Sequence, residues 1–193
     1  IYSGPCAAVS YSRISPDFDG TFVVIGTSHK GHPNSVSNLD WETPIGTVPS
    51  DTEFADAVPL PKNNDIFREQ ENSLETQMPF IAYRFPKAKV CAILMGDQSL
   101  KGAAEIADAV ISAVSKTNRR IIVAASGDGS HYVPAKKAEN DDLTCLAALK
   151  NLDINAFYDA LYAIQPSMCG YGCLAATAEI GKALGASETR DLT

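Results

Sequence analysis

The chain has 193 residues, of which 45% are hydrophobic and 20% charged, and its formal net charge is −7 at pH 7. This composition predicts one globular domain with a substantial core, and the acidic balance argues against nucleic-acid binding, which needs a basic face. No apolar run approaches the roughly 20 residues of a membrane span, and no signal peptide is visible at the start. We therefore expect neither nucleic acid nor a membrane as a partner.

The cysteines indicate a reducing compartment. Their number is odd, and their spacing is not that of a small secreted protein: Cys6, Cys91, Cys145, Cys169 and Cys173. This pattern favours free thiols and a cytoplasmic protein.

Three strands are predicted from β-branched and apolar runs, at residues 21–25, 89–95 and 120–124. Residues 40–51 contain prolines and Gly46, which indicate a hairpin or an edge excursion rather than a central strand.

Helical patterns lie between and after these strands. Residues 52–58 are predicted to form a short helix with Asp51 as its cap. Residues 71–85 are predicted to form a helix with Leu74, Met78 and Ile81 on the buried face, Thr76 and Tyr83 on the exposed one, and a kink at Pro79. Further helices are predicted at residues 100–115, 138–149, 156–164 and 170–184. Alternating strands and helices predict an α/β fold, a single layered domain with a mainly parallel or mixed sheet and helices on both faces.

All three histidines lie in two short turns, each directly after a predicted strand. His29 and His32 belong to GTSHKGH, and His131 belongs to SGDGSHY. Ligands of open α/β sheets bind beyond the carboxyl ends of the strands, and histidine is the commonest metal ligand and a proton carrier near pH 7. These turns predict a functional site; the alternative is that they are ordinary solvated loops.

A carboxylate accompanies the second turn. Asp128 stands between Gly127 and Gly129, and His131 follows closely enough to share a pocket with it. A neighbouring carboxylate fixes the tautomer of a histidine and raises its basicity. The alternative is a turn in which Asp128 bonds its own backbone.

Cys169 precedes Gly170 at the start of the last predicted helix, where a thiol ionises readily and can act as a nucleophile or a metal ligand. We expect Cys173, four residues on, to pack inside. The alternative is that both thiols pack the helix against the sheet.

Glu71 and Glu75 lie one helical turn apart on the predicted helix at residues 71–85. They can contribute to the functional site only if this helix begins at the crevice that holds the histidines.

The order of GTSHKG, WETPIGTVPSDTE, ENSLETQMPF, SGDGSHY and MCGYG resembles the Memo-like family over essentially the whole chain. Prokaryotic members are often called AmmeMemoRadiSam system protein B, and their fold is similar to that of class III extradiol dioxygenases, which use non-haem Fe(II). Relative to this family, residues 1–193 are expected to form a single Memo-like domain without the family's N-terminal and C-terminal segments.

The resemblance implies a metal site. His29 and Cys169 match two metal ligands, while a third, the histidine of a PHAGY motif, would precede residue 1. Asp128 and His131 match pocket residues, to which we assign catalytic roles. Tyr2 is similar to an aromatic residue that follows the PHAGY motif, and we place it with Glu71 as pocket-binding residues. Asn72 stands where the family usually has histidine.

These residues predict a mononuclear site for iron or copper with redox chemistry, of an oxidoreductase or dioxygenase-like kind, and they leave open whether the protein is an enzyme. Two histidines and one carboxylate are typical of non-haem iron, and a thiolate in place of the carboxylate favours softer metals such as copper. The alternative is a non-catalytic binding module whose pocket takes an anionic, small-molecule or peptide ligand. A thiol hydrolase or transferase using Cys169 and His131 ranks last, because no oxyanion-hole motif is recognisable. We expect His29, Asp128, His131 and Cys169 to converge in one crevice.

Overall fold

The computed structural model describes residues 3–69, 71–190 and 192. Its strands are β1 (Thr21–Thr27), β2 (Ser35–Ser37), β3 (Trp41–Thr43), β4 (Gly46–Val48), β5 (Lys89–Met95) and β6 (Ile121–Ser126). Four of them form the central sheet in the order β2-β5-β1-β6, and β3 pairs with β4 as a separate hairpin. The three predicted strands and the hairpin within residues 40–51 are thus confirmed.

The helices are α1 (Gly4–Ser12), α2 (Thr52–Ala57), α3 (Asn72–Glu75), α4 (Met78–Arg84), α5 (Leu100–Thr117), α6 (Ala135–Ala148), α7 (Ile154–Ile164) and α8 (Tyr171–Ala183), with 3₁₀ turns at Ile66–Arg68 and Leu149–Asn151. Asp51 caps α2 as predicted, because its side chain accepts a hydrogen bond from the Phe54 backbone N–H. No sequence pattern had indicated α1, β2 or the 3₁₀ turns. None of the described helices is both long and apolar enough to cross a membrane.

The sheet is buried on both faces. Alternate residues of β1 contribute to two separate cores, with Val23 and Ile25 in one and Phe22 and Val24 in the other. The first core is closed by α2, α5, α6, α7 and α8, and the second by α1, α3 and α4. Since β1 pairs in parallel with β5 and β6 while β2 runs antiparallel to β5, the predicted α/β fold with a mixed, mainly parallel sheet is confirmed.

Residues 71–85 depart from the expected single kinked helix and form two helices, α3 and α4. Pro79 lies in the first turn of α4, where its missing N–H would have no helical partner in any case. Proline therefore begins a new helix here. The predicted faces are confirmed: Leu74, Met78 and Ile81 are buried, while Thr76 and Tyr83 are exposed.

The parallel register of β1 and β6 brings the ends of both strands to one edge of the sheet, where a site can form. Gly26 on β1 is opposite Ser126 on β6, so the segments that follow both strands leave the sheet at the same edge. His29 lies in the first segment, and Asp128 and His131 lie in the second.

Candidate metal centre

Two glycines allow the loop after β6 to touch the loop before α8. A Cβ atom at Gly127 would lie 2.7 Å from the Cys169 carbonyl oxygen, and one at Gly170 would lie 2.8 Å from that of Ser126. Gly170 also has φ +68°, in the left-handed region that favours glycine. Only glycine fits this approach without a shift, and the approach brings Cys169 next to Asp128.

Three potential metal ligands meet at this contact. The ligand atoms of Asp128, His131 and Cys169 all lie within 4.8 Å of one another. Asp128 is exposed, and the other two side chains are half-buried. The group therefore combines oxygen, nitrogen and sulfur donors at a place that a small molecule can reach.

The thiol of this group has a fixed hydrogen-bond donor. The backbone N–H of Asp128 donates to the sulfur of Cys169, with an N–S distance of 3.2 Å. Cys173, in contrast, is fully buried, with its sulfur 3.6 Å from the Thr27 hydroxyl oxygen. Burial raises the pKa of Cys173 to about 12, which keeps this thiol protonated near neutral pH.

His29 is held by Glu71 rather than by this group. The carboxylate of Glu71 accepts hydrogen bonds from the His29 backbone N–H, at 2.8 Å, and from its Nδ1 atom, at 2.7 Å. Burial opposes ionisation of Glu71, yet hydrogen bonds from His29 and Ser73 outweigh it and hold the pKa below its ordinary value. An ionised carboxylate only accepts hydrogen bonds, so Nδ1 carries the proton of this contact, and in the neutral imidazole Nε2 then keeps its lone pair.

The second histidine of the same turn contacts a different carboxylate. His32 Nε2 lies 3.1 Å from a Glu69 oxygen, which Lys30 also contacts. His29 and His32 therefore contact different carboxylates, Glu71 and Glu69. Glu75 is exposed.

The structure brings together three of the four residues that were expected to converge. His29, the fourth, is not part of the group with Asp128, His131 and Cys169; its role as a metal ligand stays a prediction. Glu71 contacts His29, and Tyr2 lies outside the described residues.

Three further residues contact the site, and no sequence pattern pointed to them. The Ser3 hydroxyl donates to the Asp128 carboxylate, while Asp142 and Ser167 bind the loop that carries His131. Ser3 is 125 positions from its partner. Only the tertiary fold brings such distant residues together.

Comparison with known proteins finds similarity along the whole chain. Residues 1–193 match the family model described as Memo-like protein. A MEMO1 family protein of Archaeoglobus fulgidus is 37% identical over 190 residues, which cover 96% of this chain and 72% of the relative. One from Methanosarcina acetivorans is 37% identical over 192 residues, covering 97% and 71%.

A more distant relative gives the same result. The MEMO1 family protein of Methanocaldococcus jannaschii is 31% identical over 204 residues, covering 98% of this chain and 71% of the relative. The resemblance inferred from the motifs is confirmed, and the chain belongs to the Memo-like protein family.

Proposed function

We propose that the protein binds one iron or copper ion through the carboxylate of Asp128, the imidazole of His131 and the thiolate of Cys169, and that this centre serves redox chemistry. The observation that carries the proposal is the meeting of three different donor atoms within 4.8 Å of one another, beyond the carboxyl end of β6.

The spacing fits a single ion. Protein ligands lie at about 2.0–2.3 Å from a bound transition metal, so two ligands of one ion are separated by at most about 4.6 Å. A group within 4.8 Å therefore needs only a small adjustment to close around an ion. Thiolate and imidazole together suit copper and iron better than magnesium or calcium, which prefer oxygen ligands.

His29 is proposed as a further ligand from the neighbouring strand. Metal-binding histidines commonly donate their second ring N–H to a carboxylate, which fixes the tautomer and the ring. Glu71 accepts such a hydrogen bond from Nδ1 of His29, so Nε2 is the atom that would bind the metal. Because β1 and β6 are adjacent and parallel, the segment that carries His29 begins at the same edge of the sheet as the segment that carries Asp128.

The chain's own groups define what the site can do. A bound iron or copper ion would supply electron transfer. Asp128 is exposed and His131 half-exposed, so a small-molecule or peptide substrate could reach both side chains. Metal binding requires neutral His131 and ionised Cys169, and we expect metal affinity to fall as the pH is lowered.

The proposal is tested by metal binding to the protein purified without chelator and titrated anaerobically with Fe²⁺ or Cu⁺. We expect one equivalent of metal to bind, and Cys169→Ser to abolish or strongly weaken binding because the thiolate is lost. Cys173→Ala is the matched control, since this thiol is buried against Thr27, and it should keep the wild-type stoichiometry. Unchanged binding by Cys169→Ser would overturn the assignment. An ordered wild-type protein that binds neither metal would overturn the proposal in favour of a non-catalytic module for an anionic or peptide ligand.

A further inference from the structure

The loop that carries Asp128 and His131 is intrinsically pliable. It contains Gly127 and Gly129, and glycine loses more conformational freedom on folding than any other residue. A metal site needs both side chains in one fixed arrangement, so something outside the loop has to hold it.

Asp142 on α6 contacts the centre of this loop. Its two carboxylate oxygens accept the backbone N–H of Ser130, at 3.0 Å each, and one of them also accepts the Ser130 hydroxyl at 2.7 Å. A Cβ atom at position 129 would lie 2.2 Å from an Asp142 oxygen. Gly129 thus permits the close contact, and Asp142 uses its full carboxylate to hold the loop.

Ser167, in the segment before α8, holds the backbone of His131. Its hydroxyl accepts the His131 backbone N–H at 2.7 Å and donates to the His131 carbonyl oxygen at 2.5 Å. Ser167 lies only two residues before Cys169, so this contact joins the histidine loop directly to the segment that carries the thiol.

The backbone after His131 shows that the loop is constrained. Tyr132 has φ +55°, an unfavourable value for a residue with a side chain, and its ring is fully exposed. Such strain persists only where the surrounding structure determines the conformation. The hydrogen bonds on Ser130 and His131 hold the two residues directly before Tyr132.

We infer that Asp142 is a positioning residue for the metal centre, with Ser167 as a second restraint, and that it holds Asp128 and His131 at the distance from Cys169 that one ion requires. The inference rests on the proposed function and extends it to a residue that contacts no metal.

The chain provides a matched control at the adjacent position. Asp141 is on the same helix and is more buried than Asp142, but its carboxylate pairs with Lys137 at 2.6 Å. Asp142→Asn and Asp141→Asn change one oxygen to nitrogen at neighbouring positions, and we expect only the first change to disturb the loop. Ser130→Ala removes one hydrogen bond and keeps the two from the backbone, so its effect should be smaller than that of Asp142→Asn.

The test is titration with Co²⁺, whose absorption spectrum reports both thiolate coordination and ligand geometry. We expect Asp142→Asn to bind Co²⁺ about 10- to 100-fold more weakly, as is typical when an outer hydrogen-bond partner of a metal site is lost, and with an altered spectrum. Asp141→Asn should keep the wild-type affinity and spectrum. Equal affinities and spectra for Asp142→Asn and wild type would overturn the inference and leave the metal proposal standing.

A second measurement tests whether Asp142 holds the loop, and it does not depend on metal binding. In the metal-free protein, amide hydrogen exchange within residues 127–132 should be faster in Asp142→Asn than in wild type and Asp141→Asn, at similar melting temperatures. Equal exchange in all three proteins would show that Asp142 does not hold the loop.

Discussion

At the scale of single residues, a site side chain is defined by the partners that the fold gives it. Cys169 and Cys173 are four positions apart, yet one accepts a hydrogen bond from the Asp128 backbone and the other is buried against Thr27. His29 and His32 share a turn, yet they contact Glu71 and Glu69 respectively. Residue type and spacing therefore suggest candidate site residues, and the contacts of each side chain in the fold distinguish between these candidates.

The Glu71–His29 contact predicts a pH effect on stability. The pKa of Glu71 lies below its ordinary value of 4.5 in the folded protein. The unfolded chain therefore binds more protons in this range, and this group's contribution is present above pH 4.5 and is lost as the pH falls through the folded-state pKa. We expect the free energy of unfolding of the wild type to fall more steeply below pH 4.5 than that of Glu71→Gln. Urea unfolding at several pH values measures the difference, and parallel pH profiles would contradict the prediction.

At the scale of elements, sequence patterns located most helices and strands but not their contacts. The apolar stripe across residues 71–85 predicted the correct buried side chains. It wrongly predicted one continuous helix, because Pro79 lies in the first turn of a separate helix, α4. The contact between the β6–α6 and α7–α8 loops depends on the close approach of Gly127 and Gly170. A glycine is visible in a sequence, whereas the backbone that it lies against is not.

The approach of these loops predicts the effect of Gly170→Ala. The added Cβ would face the Ser126 carbonyl oxygen at 2.8 Å with the backbone at φ +68°. We expect the change to lower the free energy of unfolding by about 1–3 kcal/mol, the usual cost of strained backbone, and to weaken metal binding by moving Cys169. Gly185→Ala is the control, because Gly185 also has positive φ but has open space around its Cβ position. It should cost stability and leave metal affinity unchanged; equal metal affinities for the two variants would refute the role of the close approach.

At the scale of the whole molecule, β1 is central to both the core and the site. It lies between β5 and β6, contributes side chains to the cores on both faces, and leads into the segment that carries His29. An apolar run with no polar alternation is typical of such a strand, which is why residues 21–25 were recognisable without a structure.

The aromatic side chains of the second core should contribute strongly to the free energy of unfolding. Phe22 is fully buried, and its ring centroid lies 4.8 Å from that of Phe85 and 5.1 Å from that of Phe18. We expect Phe22→Ala to lower the free energy of unfolding by about 3–5 kcal/mol, as for other buried aromatic residues. Tyr83→Ala, on an exposed ring, should change it by less than about 0.5 kcal/mol. Chemical denaturation compares the two, and similar losses would show that the second core is assigned wrongly.

The sequence by itself determined the α/β fold, the order of its main strands and helices, the family, and the two turns and one cysteine in which a site was expected. These follow from local patterns, since periodicity and strand-end motifs are properties of neighbouring residues. The sequence also predicted that Asp128, His131 and Cys169 converge, and the structure brings their ligand atoms within 4.8 Å of one another. Only the tertiary structure decided that Glu71 holds His29, and that Asp142 and Ser167 hold the loop that carries Asp128 and His131. Asp128 and Cys169 are 41 positions apart, and His29 and Glu71 are 42 apart. The parallel strands β1 and β6 bring His29 and Asp128 to one edge of the sheet, whereas Glu71 and Cys169 come from segments between helices. No local pattern encodes which of these distant segments is packed against that edge.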